Sequence, residues 1–402
     1  MKTKILIHSS LIAAGIASFA FTGILPEKNS DSAAVRETVS LATTPLQSEK
    51  LPAELSENTV QVALLLDTSN SMDGLIEQAK SRLWNIVNTL STLKFEGKTP
   101  RIEIALYEYG NDGLDQKHWV RKVTPLTQDL DLISEKLFSL RTNGGTEYCG
   151  AVIKDAVSAL DWNGNSKAMK LIYIAGNEAF NQEGVNYKTA ISAAREQQIF
   201  VNTIFCGNRR EGIETHWQDG AQRGGGQYFN IDSDRKVIFI ETPYDIRISE
   251  LNSKLNDTYV SYGRMGEMKK MSQHREDANA ASYSRANAVE RSISKSKKEA
   301  YRADSWDLVD KVERDKNYIQ QMKAEDIPAE MKGKSKEEIA KIIETKSRER
   351  SKIQKDIADL ALQRQAYMDS ELKKRGENTG DDLGKAIEKS IHELAKVKGF
   401  SF

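Results

Sequence analysis

The sequence predicts an α/β fold: a doubly wound, mostly parallel six-stranded sheet with an appended all-α C-terminal region. Three observations carry this. Val60–Asp67 is a continuous apolar run that ends abruptly in a carboxylate, the pattern of a strand buried on both faces of a parallel sheet. From there to about Tyr259, short apolar runs alternate with segments of helical periodicity, which places helices on both faces of one sheet. After Gly266 the aromatics thin out and Lys, Glu, Arg, Ser and Ala take over, so the sheet-forming part of the chain ends there.

Taken in order, strand one is Val60–Asp67 and a helix follows over Met72–Leu93, with Leu75, Ala79, Leu83, Ile86, Val87 and Leu90 on one stripe. Arg101–Tyr109 is strand two. Trp119–Leu126 is strand three, antiparallel at an edge because only a short turn at Asn111-Asp112-Gly113 joins it to strand two. Leu130–Leu140 is a short helix, Arg141–Thr146 a glycine loop, and Tyr148–Leu160 the helix that the loop opens. Lys170–Ala175, Ile199–Cys206 and Gln227–Ile231 are strands four to six, separated by helices over Tyr187–Gln197 and Gly212–Gln222. Val237–Ile240 has the composition of one more short strand. Thr242-Pro243-Tyr244-Asp245 starts a helix that runs to about Tyr259, with Thr at the N-cap and Pro in the first turn.

In the charged region, Glu276–Met322 reads as one long helix. Ser335-Lys336-Glu337-Glu338 is a capping box that opens a second, running to about Lys374. Its apolar positions Ile339, Ile343, Ile353, Ile357, Leu360 and Tyr367 are interrupted by Lys346, Arg350 and Arg364. A seam so broken suits an antiparallel helical hairpin leaning on the first domain better than a coiled coil. Gly376–Asp382 is a loop and Leu383–Lys398 a last helix. The N-terminus carries Lys2 and Lys4 before an apolar segment from Ile5 to about Leu25, the layout of a secretory signal or of an uncleaved membrane anchor. The domains are therefore 1–25, signal or anchor; 26–58, polar linker; 59–262, the α/β domain; and 263–402, the charged helical region. The expected location is the periplasm or cell envelope.

Composition narrows the function. Across 402 residues the formal net charge is zero, which gives no case for nucleic acid or an anionic surface as partner. The five histidines, His8, His118, His216, His274 and His392, flank no nucleophile motif, and the chain has no phosphate loop, no Gly-x-Ser-x-Gly and no His-Glu-x-x-His. No enzymatic activity is expected. Two cysteines occur, Cys149 and Cys206; they either pair, which in an exported protein stabilises by about 4 kcal/mol, or remain buried thiols.

Asp67, Ser69 and Ser71 place hard oxygen donors at alternate positions in the turn after strand one. The C-terminal ends of parallel strands are where open α/β sheets bind ligands. Such donors suit Mg²⁺, Mn²⁺ or Ca²⁺, not zinc or copper. The alternative is that they only cap the next helix and satisfy turn amides.

At these residues the chain resembles the von Willebrand factor type A family. That family's metal site begins with an Asp-x-Ser-x-Ser turn, which stands here as Asp67-Thr68-Ser69-Asn70-Ser71. Its second element, a threonine on a glycine loop, matches Gly144-Gly145-Thr146. Its third, an aspartate in a Thr-Asp-Gly turn, is replaced by Ala175-Gly176-Asn177-Glu178. The resemblance implies a divalent cation, Mg²⁺ first, held by Asp67, Ser69, Ser71 and Thr146, with Glu178, Asn177 or solvent in place of the absent aspartate and affinity lower by about one to two orders of magnitude. Glu147 and Asp73 lie close in sequence and are further candidate donors. The resemblance also implies a protein partner that presents a carboxylate to the ion. The competing expectation is a metal-independent envelope scaffold acting through the helical tail.

Overall fold

The computed structural model describes residues 59–114, 117–182, 184–234, 237, 239–375 and 383–402. The expected signal or anchor, the linker to residue 58 and the loop Gly376–Asp382 lie outside the described residues. Six strands, β1 (Thr59–Asp67), β2 (Arg101–Tyr109), β3 (Val120–Thr127), β4 (Met169–Gly176), β5 (Ile199–Cys206) and β6 (Gly225–Ile231), form one sheet in the order β3-β2-β1-β4-β5-β6. All pairs are parallel except β2 with β3. The order reverses at β1, so the C-terminal ends of β1, β2 and β4 open one crevice, with Asp67 beside Tyr109 and Leu66 beside Ala175.

The intervening helices are α1 (Asp73–Leu90), α2 (Leu130–Ser139), α3 (Cys149–Ala159), α4 (Tyr187–Glu196), α5 (Arg209–Glu214) and α6 (Trp217–Arg223). Alternate β1 residues divide the core. Val60, Val62, Leu64 and Leu66 face the α1 side, while Ala63 and Leu65 face α3, α4 and α6. The helix expected over Gly212–Gln222 is two short ones, because His216 between them adopts a left-handed conformation with φ 73°. Val237–Ile240 adds no strand among its described residues. Helix α3 starts close against the chain entering α4: a Cβ on Gly150 would lie 1.9 Å from the Val185 carbonyl oxygen. Gly150→Ala is therefore expected to cost about 1–3 kcal/mol through overpacking, read as a lower urea midpoint at unchanged slope.

The rest of the chain forms α7 (Asp245–Asp257), α8 (Gly266–Tyr283), α9 (Arg285–Lys295), α10 (Leu308–Arg314), α11 (Tyr318–Gln321), α12 (Lys336–Arg375) and α13 (Leu383–Val397). The capping box holds, with Ser335 and Glu338 exchanging bonds at 3.2 and 2.7 Å; the other expected start does not, because α7 begins at Asp245 with Tyr244 as its N-cap residue, and the Thr242 hydroxyl instead donates to the Asp245 side chain at 2.6 Å. The single helix expected over Glu276–Met322 does not form. Ser284 is extended (φ −171°, ψ 159°) and its hydroxyl accepts from the Asn287 amide at 3.0 Å, capping a new helix. Asp307 caps α10 in the same way, accepting from Asp310 N at 2.9 Å. The expected hairpin is also replaced: α12 has no single antiparallel mate and lies across α7, α9, α10 and α11.

The apolar cluster on the α1 side runs on through Ile248 and Leu251 of α7, Val289 and Ile293 of α9, and Ile387, Ile391 and Leu394 of α13. The core is thus continuous past residue 262. A smaller cluster joins Val260, Leu308, Val309, Ile319, Ile339 and Ile343. Among the described residues no helix is long and apolar enough to cross a membrane.

The cysteines do not pair. Cys149 and Cys206 are both free and buried. Cys149 belongs to the core on the α3 side and Cys206 to the core on the α1 side, so the sheet separates them.

Candidate metal centre

Strand β1 delivers Asp67 fully buried to the crevice, and the chain turns at once because Asp67 Oδ1 accepts from the Ser69 amide at 2.8 Å. The turn brings the Ser69 and Ser71 hydroxyls to 3.2 Å from each other. Neither caps α1, whose N-cap residue is Met72 with no side-chain bond; of the capping alternative, the structure keeps the turn amide that Asp67 satisfies. The glycine loop is tied onto this turn through its backbone. Asn70 N donates to Gly144 O and Asn143 N to Thr68 O, both at 2.9 Å. Thr146 forms a bridge to Gly110, at the end of β2. Gly144 has φ 76°, and a Cβ there would strike the Asp112 side chain at 2.1 Å, so the loop needs glycine. Asn111 and Asp112 are turn residues, with Asn111 Oδ1 accepting from Gly113 N at 2.9 Å.

The turn after β4 presents Asn177, whose amide nitrogen lies 3.1 Å from Ser71 Oγ. Glu178 is exposed, and its backbone carbonyl accepts from Trp217 Nε1 at 2.7 Å. Its charge still reaches the crevice, where it opposes ionisation of Asp67 and Glu147. Asp73 sits outside, bonded to the Thr142 hydroxyl, and braces the loop. Glu147 turns inward. It is 2% exposed and lies against Asp67: a Cβ on Gly110 would meet Glu147 Cγ at 2.6 Å and Asp67 Oδ1 at 2.7 Å. Gly176 closes the other side, with its absent Cβ 3.0 Å from Asp67 Oδ2. Sequence reasoning ranked Glu147 below Glu178, because position in a loop does not say which way a side chain turns.

Two buried carboxylates in contact repel. Burial pushes the Asp67 carboxyl up to about 6, and burial with the Asp67 charge pushes Glu147 up to about 9. Asp67 Oδ2 and Glu147 Oε2 are buried and make no hydrogen bond. Buried carboxyl oxygens without hydrogen-bond partners, beside two hydroxyls, form a donor set suited to a hard divalent cation that takes the place of the Glu147 proton. Among the described residues no cluster of three or more His, Cys, Asp or Glu could hold a metal, so any ion here relies on hydroxyls as well.

The pH dependence has a defined sign. An acid whose folded pKa lies above its unfolded one binds its proton more tightly when folded, so stability falls as pH rises from the unfolded to the folded value. Without metal, these two groups should cost stability progressively between about pH 4 and 9, the span from their ordinary 3.8 and 4.5 to about 6 and about 9. The expected result is a melting temperature that falls from pH 5 to 9 more steeply than in Glu147→Gln, with Mg²⁺ removing the difference. Parallel curves for the two proteins would contradict it.

A doubly wound α/β domain with an Asp-x-Ser-x-Ser turn and a threonine loop at its switch point defines a class. Residues 61–236 match the family model of the von Willebrand factor type A domain, and this segment is such a domain. Solved structures similar to it include the conserved hypothetical protein BatB from Bacteroides thetaiotaomicron, at 19% identity and TM-score 0.34, covering 43% of this chain and 90% of that one. Another is a von Willebrand factor type A protein from Catenulispora acidiphila, at 18% identity and TM-score 0.33, covering 44% of this chain and 39% of that one. None of the curated proteins matches.

Proposed function

We propose that the chain is a metal-dependent protein-binding module of the cell envelope. A divalent cation, Mg²⁺ or Mn²⁺, sits on Ser69, Ser71 and Thr146 with Asp67 and Glu178 as charge partners, and an acidic residue of a protein partner completes its coordination. The observation that carries this is the pair of orphaned buried oxygens, Asp67 Oδ2 and Glu147 Oε2, at the foot of an exposed rim. Asn70, Ser71, Gly145 and Glu178 are all exposed there, so a partner has access. When bound, the ion supplies an electrophilic centre for a carboxylate. The chain's own residues hold the hydroxyls, fix the loop and keep bulk water from the Asp67 side.

A second feature supports a protein partner. His118 and Trp119 both adopt positive φ, 64° and 47°, a backbone cost of about 1–3 kcal/mol each. They pack their rings 5.6 and 5.7 Å from that of Tyr148, two residues after Thr146. Strained, half-buried aromatics at the rim of a site are the kind of anchor that protein interfaces use. The deciding experiment is affinity capture from envelope extracts in Mg²⁺ and in EDTA. Partners retained in Mg²⁺, released by EDTA and lost with Trp119→Ala support the reading. Partners retained equally in EDTA would move the function to the helical surface.

A further inference from the structure

We infer that Glu147 is itself an ion ligand, so that the carboxylate which the Asn177 turn does not provide comes from the residue after Thr146. This rests on the metal-site reading above and specifies how the site acquires its second negative charge.

The comparison with the other deeply buried acids is what singles it out. Glu108 pairs with Arg121, Asp131 and Asp245 with Arg291 and Arg364 at 2.8 and 3.0 Å, Asp307 with Arg350 at 2.6 Å, and Glu276 with Arg275 at 3.4 Å. Among the described residues Asp67 and Glu147 alone of this group have no cationic side chain within ion-pair distance. Buried charges are otherwise paired or coordinate a metal. The two lie side by side, both against the missing Cβ of Gly110, and each has one buried oxygen without a hydrogen-bond partner. Ser69 serves both, through its amide to Asp67 and its hydroxyl to Glu147. Asn177 instead is occupied with the Ser71 hydroxyl, and Glu178 is exposed.

The placement has a chemical consequence. A carboxylate moved from the β4 turn to the Thr146 loop keeps two negative charges around the ion, so the dication is neutralised to the same degree and a partner's carboxylate meets an open coordination position, not a net positive charge.

The test is calorimetric titration of the whole chain with MnCl₂ and MgCl₂, with thermal unfolding in EDTA beside it. Glu147→Gln should weaken metal binding about 10–100-fold while raising the melting temperature in EDTA near neutral pH, because it removes a buried acid that must take up a proton to fold. A residue that merely held the loop in place would lower both. Glu147→Asp, which keeps the charge but draws it back, should weaken binding less. Glu178→Gln should change affinity less than threefold. The double change Glu147→Gln with Asn177→Asp should recover most of the lost affinity by returning a carboxylate to the β4 turn. Unaltered affinity in Glu147→Gln would overturn the inference and leave the metal site standing on Asp67 and the hydroxyls. Absence of saturable binding in the unaltered chain would overturn both.

Discussion

Asp67→Asn is expected to abolish the stabilisation that Mg²⁺ or Mn²⁺ confers, with at least about a 100-fold loss of affinity. That is the upper end of what removing a group that supports a metal site costs, and Asp67 is more central than a supporting group. It is fully buried at the end of β1, it fixes the Ser69 amide at 2.8 Å, and its second oxygen has no other partner. Asparagine keeps the hydrogen bond to Ser69 and removes only the charge, so the fold survives. With ion at 100 times the unaltered Kd, ligand binding adds about 2.7 kcal/mol to stability; a 100-fold weaker site adds about 0.4 kcal/mol under the same conditions. In EDTA the variant should be at least as stable as the parent, because the buried charge and its repulsion with Glu147 are gone. Thermal unfolding in ion and in EDTA gives both numbers. An equal ion-induced shift in the two proteins would place the metal elsewhere.

The six strands along the chain and the place of the Asp67 turn at a strand end were legible because each rests on a local signal that tertiary packing cannot easily override. A stretch as apolar as Val60–Leu66, with Gln61 its one polar residue, belongs in the middle of a sheet, and the carboxylate that follows it lies at the strand's C-terminal end. The same apolar continuity hid the cysteine geometry. In Ile199–Cys206 nearly every residue is apolar, so no alternation tells which face Cys206 takes, and the sheet turns out to divide it from Cys149. The broken helix was invisible for the opposite reason: Ser284 stands in a stretch rich in Ser, Ala and Lys, where a capping serine looks like any surface serine.

In the charged tail, charge does not mean exposure. Arg350 and Arg364 appeared to interrupt the apolar seam of α12. Both point inward, 1% and 3% exposed, along with Arg291 and Lys295. Arg364 reaches Asp245, the residue that starts α7, and Arg291 joins Asp131 of α2 to Asp277 of α8 while stacking on Trp84 of α1 at 4.6 Å. These guanidinium groups lock the helical layer to the α/β domain. A buried ion pair fixes one arrangement of elements more sharply than it adds stability, which suits a layer whose helices α10 and α11 are too short to specify their own packing.

The largest loss of stability is therefore expected from Arg350→Met, about 3–5 kcal/mol, the usual cost of removing one partner from a buried pair. Its guanidinium donates to Asp307 at 2.6 Å, to Asp310, and to the carbonyl and hydroxyl of Thr258 at 2.8 and 3.0 Å, and it lies 4.2 Å from the centre of the Tyr259 ring. Asp307 in turn accepts from Val260 N at 2.7 Å and caps α10. Methionine fills much of the volume and none of these roles, leaving the buried Asp307 and the half-buried Asp310 carboxylates facing each other. Burial and Asp307 already hold the Asp310 carboxyl up at about 6 with the arginine present; without it the value climbs further. An acid with a raised folded pKa costs more as pH rises, so the deficit of Arg350→Met should be larger at pH 8 than at pH 5. Asp310→Asn added to it should recover part of the loss by removing one of the two charges. Arg348→Met, two residues away on the exposed face and paired only with Glu344, should change stability by less than about 0.5 kcal/mol. Urea unfolding of the four proteins at both pH values settles the matter: a deficit for Arg350→Met below about 1 kcal/mol, or one independent of pH, would mean that apolar contacts alone hold α12 in place.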